Sequence, residues 1–116
     1  MIDGAHNPAG ARALAAYLLE VVPHPVPCVI GAMRDKHVAE MLSAIAPVAS
    51  AFICTAAQSP RALTPIELLE QARAVVPAVP AKAATSIVEA LEIAGRLGQP
   101  IVVAGSLYLA GEVRAL

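Results

Sequence analysis

Aromatic residues are nearly missing from this 116-residue chain, which has no Trp, two Tyr and one Phe. That scarcity excludes the stacking platforms on which single-stranded nucleic acids are bound. The eight Lys and Arg are scattered, and the formal net charge of −1 leaves no basic stripe, so no nucleic-acid partner is expected. Long hydrophobic runs are missing too: Pro, Gly or a charge interrupts each apolar stretch before the roughly 20 residues that span a bilayer. No basic segment followed by an apolar core marks a secretory leader, and the expectation is a soluble, cytoplasmic protein with no membrane partner. The 58% hydrophobic content and mean hydropathy of +0.68 come mostly from alanine and valine. Cysteine is limited to Cys28 and Cys54, far apart and without a neighbouring His or Cys. They are expected to be buried thiols, with no metal site.

Three catalytic signatures are also lacking. No Gly-x-x-x-x-Gly-Lys-Ser/Thr phosphate loop occurs, and Gly4 and Gly10 do not supply the Gly-x-Gly-x-x-Gly dinucleotide spacing. Gly105-Ser106-Leu107 lacks the second glycine of a nucleophile elbow. The residues by themselves describe a ligand-binding half-site rather than a complete active site.

What is present begins with Met-Ile-Asp-Gly-Ala-His-Asn-Pro. Two apolar residues lead into Asp3, a glycine, His6 and Asn7-Pro8. Asn7 is a good N-cap and Pro8 suits the first helical position, where no donor is needed. The motif reads as strand, tight turn, helix start, with an acid and an imidazole held where helix amides converge. Helix one is expected over residues 8–22, burying Leu14, Tyr17, Leu18 and Val21. Residues 26–32 form a continuously apolar strand, buried on both faces. Arg34-Asp35-Lys36-His37 is a polar turn with Asp35 as candidate N-cap. Val38, Met41, Leu42 and Ile45 then keep helical spacing to Pro47.

Residues 49–55 read as a third strand and 56–63 as its loop. Thr64-Pro65-Ile66-Glu67 has the form of a capping box. Its helix buries Leu68, Leu69, Ala72, Val75 and Val76 and ends at Pro77. Residues 78–81 make a weak, peripheral strand. Ser86-Ile87-Val88-Glu89 is a second capping box, opening a helix that buries Ile87, Leu91 and Ala94 and stops near Gly95 or Gly98. Residues 100–105 are the most strand-like run, followed by Ser106 as cap of a last helix over 107–116.

Strands alternate with helices five times. The expected fold is therefore one α/β domain over 1–116: a three-layer, Rossmann-like open sheet, mainly parallel, with helices on both faces. Asp3, His6, Arg34 to Lys36, the loop with Arg61, and Ser106 all follow strands and so share the carboxyl edge, where open α/β sheets bind ligands. Each also has a purely structural reading. Asp3 can cap the turn at Gly4, His6 can satisfy local backbone, Ser106 can be an N-cap, and Arg34 to Lys36 can be a solvated helix start.

Asp3-Gly4-Ala5-His6-Asn7-Pro8 resembles the start of the carboxyl-terminal domain of the Mur ligase superfamily, in its folylpolyglutamate synthase and dihydrofolate synthase branch. Gly31-Ala32-Met33-Arg34-Asp35-Lys36, the Pro60-Arg61-Ala62 loop and Val103-Ala104-Gly105-Ser106-Leu107-Tyr108 agree in order. Peptidoglycan ligases usually carry an aromatic residue where Gly4 stands. The resemblance implies an ATP-dependent ligase that joins L-glutamate to folate, or also to dihydropteroate, through an acyl phosphate. It also implies a separate amino-terminal domain that supplies the phosphate loop and most ligands for Mg2+, so that this chain alone is inactive. By position, Asp3 matches the family's ribose-binding aspartate, and His6 the histidine near the phosphates and glutamate. Ser106 matches the serine associated with glutamate. Asn7, Arg34, Lys36 and Arg61 are candidate edge contacts without a family role. The alternatives are a peptidoglycan or cyanophycin-type ligase domain, or a non-catalytic nucleotide-binding module.

Overall fold

The structure, a computed structural model, describes residues 8–34, 37–56 and 59–104. In chain order these form α1 (Pro8–Val21), β1 (Val26–Ile30), α2 (Val38–Ile45), a 3-10 turn (Ala46–Val48), β2 (Ala49–Cys54), α3 (Pro65–Val75), β3 (Ala81–Ala83), α4 (Ile87–Leu97) and β4 (Val102–Ala104). The four strands form one parallel sheet in the order β3-β2-β1-β4. Side chains alternate across it as the pleat requires. Cys28, Ile30, Phe52, Cys54, Val102 and Ala104 pack with α1, α2 and α3, whereas Val29, Ala51, Ile53 and Val103 pack with α4. The three-layer parallel architecture expected from the sequence is therefore present. The first expected strand, at Met1-Ile2, and the last helix, at 107–116, lie outside the described residues.

The change of face follows from the strand order. From β1 to β3 the chain steps in one direction, and from β3 to β4 it crosses back to the far side of β1. Crossovers of one hand then put α2 and α3 on one face and α4 on the other. Within the described sheet the reversal falls between β1 and β4, the kind of position at whose carboxyl ends open α/β sheets bind ligands.

Central strand β1 carries Pro27, which has no amide to donate, and the pairing with β2 slips between Val26 and Pro27. A proline is tolerated in a sheet where the ladder is already irregular. Beyond Pro27 the register runs cleanly from Cys28 opposite Phe52 to Ile30 opposite Cys54.

Several expectations need adjusting. The buried stripe of α1 is Ala11, Leu14, Ala15 and Leu18, while Tyr17 and Val21 are half exposed. The stripe is rotated toward the alanines, whose small side chains let the helix approach its neighbours closely. The strand expected at 26–32 ends at Ile30 and that at 49–55 ends at Cys54. The peripheral strand lies at Ala81–Ala83 rather than 78–81, and it is an edge strand as expected. The final strand is shorter than 100–105, at Val102–Ala104. Helix α2 starts at Val38 with His37 in the N-cap position and no side-chain cap bond; Asp35 lies outside the described residues. Val75 and Val76 of α3 are only partly buried. In α4 the deeply buried residues are Ile87, Ala90 and Ala94, with Leu91 only partly covered. The helix ends at Gly98, whose φ of 154° is open mainly to glycine.

Candidate functional site

Local chemistry determines how the carboxyl edge is built. Thr64 caps α3: its hydroxyl accepts from the Glu67 amide at 3.1 Å, and the Glu67 carboxylate accepts from the Thr64 amide at 2.9 Å. This is the reciprocal capping box read from the sequence. The second box closes only halfway. Ser86 accepts from the Glu89 amide at 3.1 Å, but the Glu89 carboxylate turns to the amide and hydroxyl of Thr85, at 3.3 and 3.2 Å. Thr85 precedes the cap, and its amide and hydroxyl both donate to the one carboxylate.

The loops after β1 and β2 are zipped together. Arg34 N donates to Arg61 O at 2.8 Å, Leu63 N donates to Ala32 O at 2.9 Å, and Met33 forms an antiparallel bridge with Ala62. Behind them, Gly31 N donates to Ala104 O at 3.3 Å and Thr55 N to Ile30 O at 2.9 Å. The three adjacent strand ends are thus joined to one another before the chain turns away.

At this edge the Arg34 side chain is paired with Glu67. Its Nη1 donates to Glu67 Oε2 at 2.8 Å and its Nη2 to Glu67 Oε1 at 2.6 Å, a two-pronged fork. Hydrogen bonds from Arg34 and Thr64 hold the Glu67 carboxyl down at about 2, and the same bonding raises the Arg34 guanidinium. Both side chains remain nearly half exposed. Sequence spacing reveals the cap role of Glu67; its distant partner, 33 residues away, becomes visible only with the fold.

Of the residues singled out in the sequence, Arg34 and Arg61 are placed at this edge on paired loops. Asp3, His6, Asn7, Lys36 and Ser106 lie outside the described residues. Thr55, which sequence reasoning passed over, follows β2 at its carboxyl end, fully buried, and its Oγ1 finds no hydrogen-bond partner among the described residues. Cys28 and Cys54 are free and buried as expected, and burial pushes both thiols up to about 12. Among the described residues, no group of three or more His, Cys, Asp or Glu could hold a metal ion, and no helix is long and apolar enough to cross a membrane.

A parallel α/β sheet with its loops gathered at the carboxyl edge defines the class of open α/β domains that take their ligands at that edge. The chain belongs to the Mur ligase, glutamate ligase domain family, which matches it over residues 1–107. Its fold is that of the carboxyl-terminal domain of folylpolyglutamate synthases. The folylpolyglutamate synthase of Lacticaseibacillus casei is 34% identical over 117 residues, which cover 98% of this chain and 26% of that protein. A probable bifunctional folylpolyglutamate synthase/dihydropteroate synthase of Haloferax volcanii is 33% identical over 98% of this chain and 14% of its own length. Among solved structures, Mycobacterium tuberculosis folylpolyglutamate synthase complexed with ADP superposes with a TM-score of 0.89 at 31% identity, covering 98% of this chain and 29% of that one. The bifunctional folylpolyglutamate synthase/dihydrofolate synthase of Yersinia pestis, complexed with AMPPNP and Mn, gives 0.82 at 26% identity, over 97% of this chain and 27% of that one. The chain thus spans about a quarter of the length of the first of these curated relatives.

Proposed function

We propose that this chain is the carboxyl-terminal domain, over 1–116, of an ATP-dependent ligase that adds L-glutamate to folate. The observation that carries the reading is the combination of the Asp3 to Pro8 motif and Ser106 within one matched span, on a fold shared with folylpolyglutamate synthases. The partner is an amino-terminal domain of the same protein, which supplies the phosphate loop, and the working compartment is the cytoplasm.

In this reading ATP phosphorylates the folate carboxylate and leaves as ADP, and the glutamate amine then displaces phosphate from the acyl phosphate and loses a proton to form the amide; Mg2+, where bound, would supply screening of the phosphate charge. Asp3 accepts from the ribose hydroxyls, a fitting role for a carboxylate facing two donors. His6 is assigned to the phosphates and glutamate, where an imidazole N–H can donate to an anion. Ser106 is assigned to donate its hydroxyl to the glutamate carboxylate, and Asn7, Lys36 and Arg61 are further candidate contacts. The described residues offer no cluster that fits Mg2+, so its ligands are assigned to the amino-terminal domain and no step of this domain is routed through it.

The test is phosphate release by the full-length protein with tetrahydrofolate or dihydropteroate. Turnover that requires glutamate supports the reading; turnover with neither substrate contradicts it. The isolated chain is expected to be inactive, because it encodes no phosphate cradle, and glutamate-dependent ATP turnover by it alone would overturn the division of labour between domains.

A further inference from the structure

Two loops that follow neighbouring strands give the carboxyl edge its shape, and one carboxylate ties them to a helix. Glu67 Oε1 accepts from the Thr64 amide at 2.9 Å and from Arg34 Nη2 at 2.6 Å, while Oε2 accepts from Arg34 Nη1 at 2.8 Å. The first turn of α3 is thereby fixed to the loop after β1. That loop is in turn bonded through Arg34 N to Arg61 O, in the loop after β2.

We infer that Arg34 and Glu67 are a positioning pair that holds the two loops in the geometry needed to receive the incoming dicarboxylic amino acid. The inference rests on the ligase reading above. Three considerations support it. A bidentate fork fixes orientation as well as distance, which a single contact does not. Both side chains are nearly half exposed, and exposed pairs add little to stability, so folding alone is a weak reason for the pair. The fork also commits one N–H of each terminal nitrogen to Glu67, which sets the plane of the guanidinium and the direction of its remaining donors.

A pair that acts through the loops rather than on the reacting atoms should, when lost, weaken substrate binding equally in ground and transition states. That signature is a raised KM with kcat nearly unchanged.

The experiment uses the full-length protein and glutamate-dependent phosphate release. Arg34→Ala and Glu67→Gln are each expected to raise KM for L-glutamate about tenfold, which corresponds to about 1.4 kcal/mol of lost uniform binding. KM for ATP and kcat should stay within about twofold, and the double variant should be no worse than either single one, because the pair acts as a unit. Arg34→Lys, which keeps the charge without the fork, should recover only part of the loss. Thr64→Ala separates positioning from folding: it removes the cap hydroxyl but leaves the fork, so it should lower Tm with KM for glutamate unmoved. An active wild type whose Arg34→Ala and Glu67→Gln variants keep their KM for glutamate overturns the inference alone. So does a Thr64→Ala variant that shifts KM as much as they do. A wild type without glutamate-dependent turnover overturns the ligase reading, and this inference with it.

Discussion

Replacing Thr55 with valine should make the domain more stable. Thr55 is fully buried at the end of β2, and its Oγ1 has no hydrogen-bond partner among the described residues. A hydroxyl removed from water and left unpaired costs about 1–3 kcal/mol, whereas a methyl group of nearly the same size adds apolar burial at no such cost. The backbone role is untouched by the change, since Thr55 N donates to Ile30 O whatever the side chain. The expected gain is about 1–2 kcal/mol. For a domain of this size, that is a rise in Tm of roughly 4–8 °C or more. Urea unfolding of the wild-type and Thr55→Val chains, followed by circular dichroism, would show a higher midpoint with an unchanged slope. A loss of about 1 kcal/mol or more would refute the reasoning, because it would mean that the hydroxyl is satisfied, by a buried water or by a residue outside the described segments.

Phe52→Ala should cost about 3–5 kcal/mol by calorimetry or urea unfolding, since the ring is fully buried in a central strand beneath α1, α2 and α3; a cost below about 1.5 kcal/mol would contradict that packing. Glu67 makes stability depend on acid. Its folded carboxyl sits at about 2, below the ordinary 4.5, so its contribution is complete above 4.5 and is lost as pH falls from there toward 2. The stability difference between wild type and Glu67→Gln should therefore shrink across that window, and a difference flat in pH would show that the fork does not form. Cys28 and Cys54, with thiols pushed up to about 12, should resist a thiol-specific reagent at pH 8 in the native protein and react at once in denaturant.

Much of the fold was legible because local signals agreed with the global pattern. Thr64, Pro65 and Glu67 marked the start of α3 by cap chemistry alone. The unbroken apolar runs around Cys28 and Ile53 showed strands covered on both faces. The sequence was misleading where burial depended on partners. Tyr17 and Val21 keep helical spacing with Leu14 and Leu18, but the neighbouring elements select the alanine side of α1. Ser86 and Glu89 have the spacing of a box, yet Thr85 takes the carboxylate. At the site, the placement of Arg34 and Arg61 at the carboxyl edge could be read from the order of strands and loops. The Arg34–Glu67 fork could not, because spacing reports contacts within a helix and not between residues 33 apart. Thr55 carried no signal, since one threonine at the end of an apolar run looks the same whether or not its hydroxyl is paired.

The central claim is that the carboxyl edge of this domain binds the glutamate of a folate-dependent ligase. Its most direct test is glutamate-dependent phosphate release by the full-length protein with tetrahydrofolate, comparing wild type with His6→Ala and Ser106→Ala. The account predicts turnover by wild type that needs both folate and glutamate, and a raised glutamate requirement or abolished activity in both variants. Folate-dependent turnover that both variants retain at the wild-type glutamate requirement would contradict the site, and the absence of folate-dependent turnover in the wild type would contradict the function.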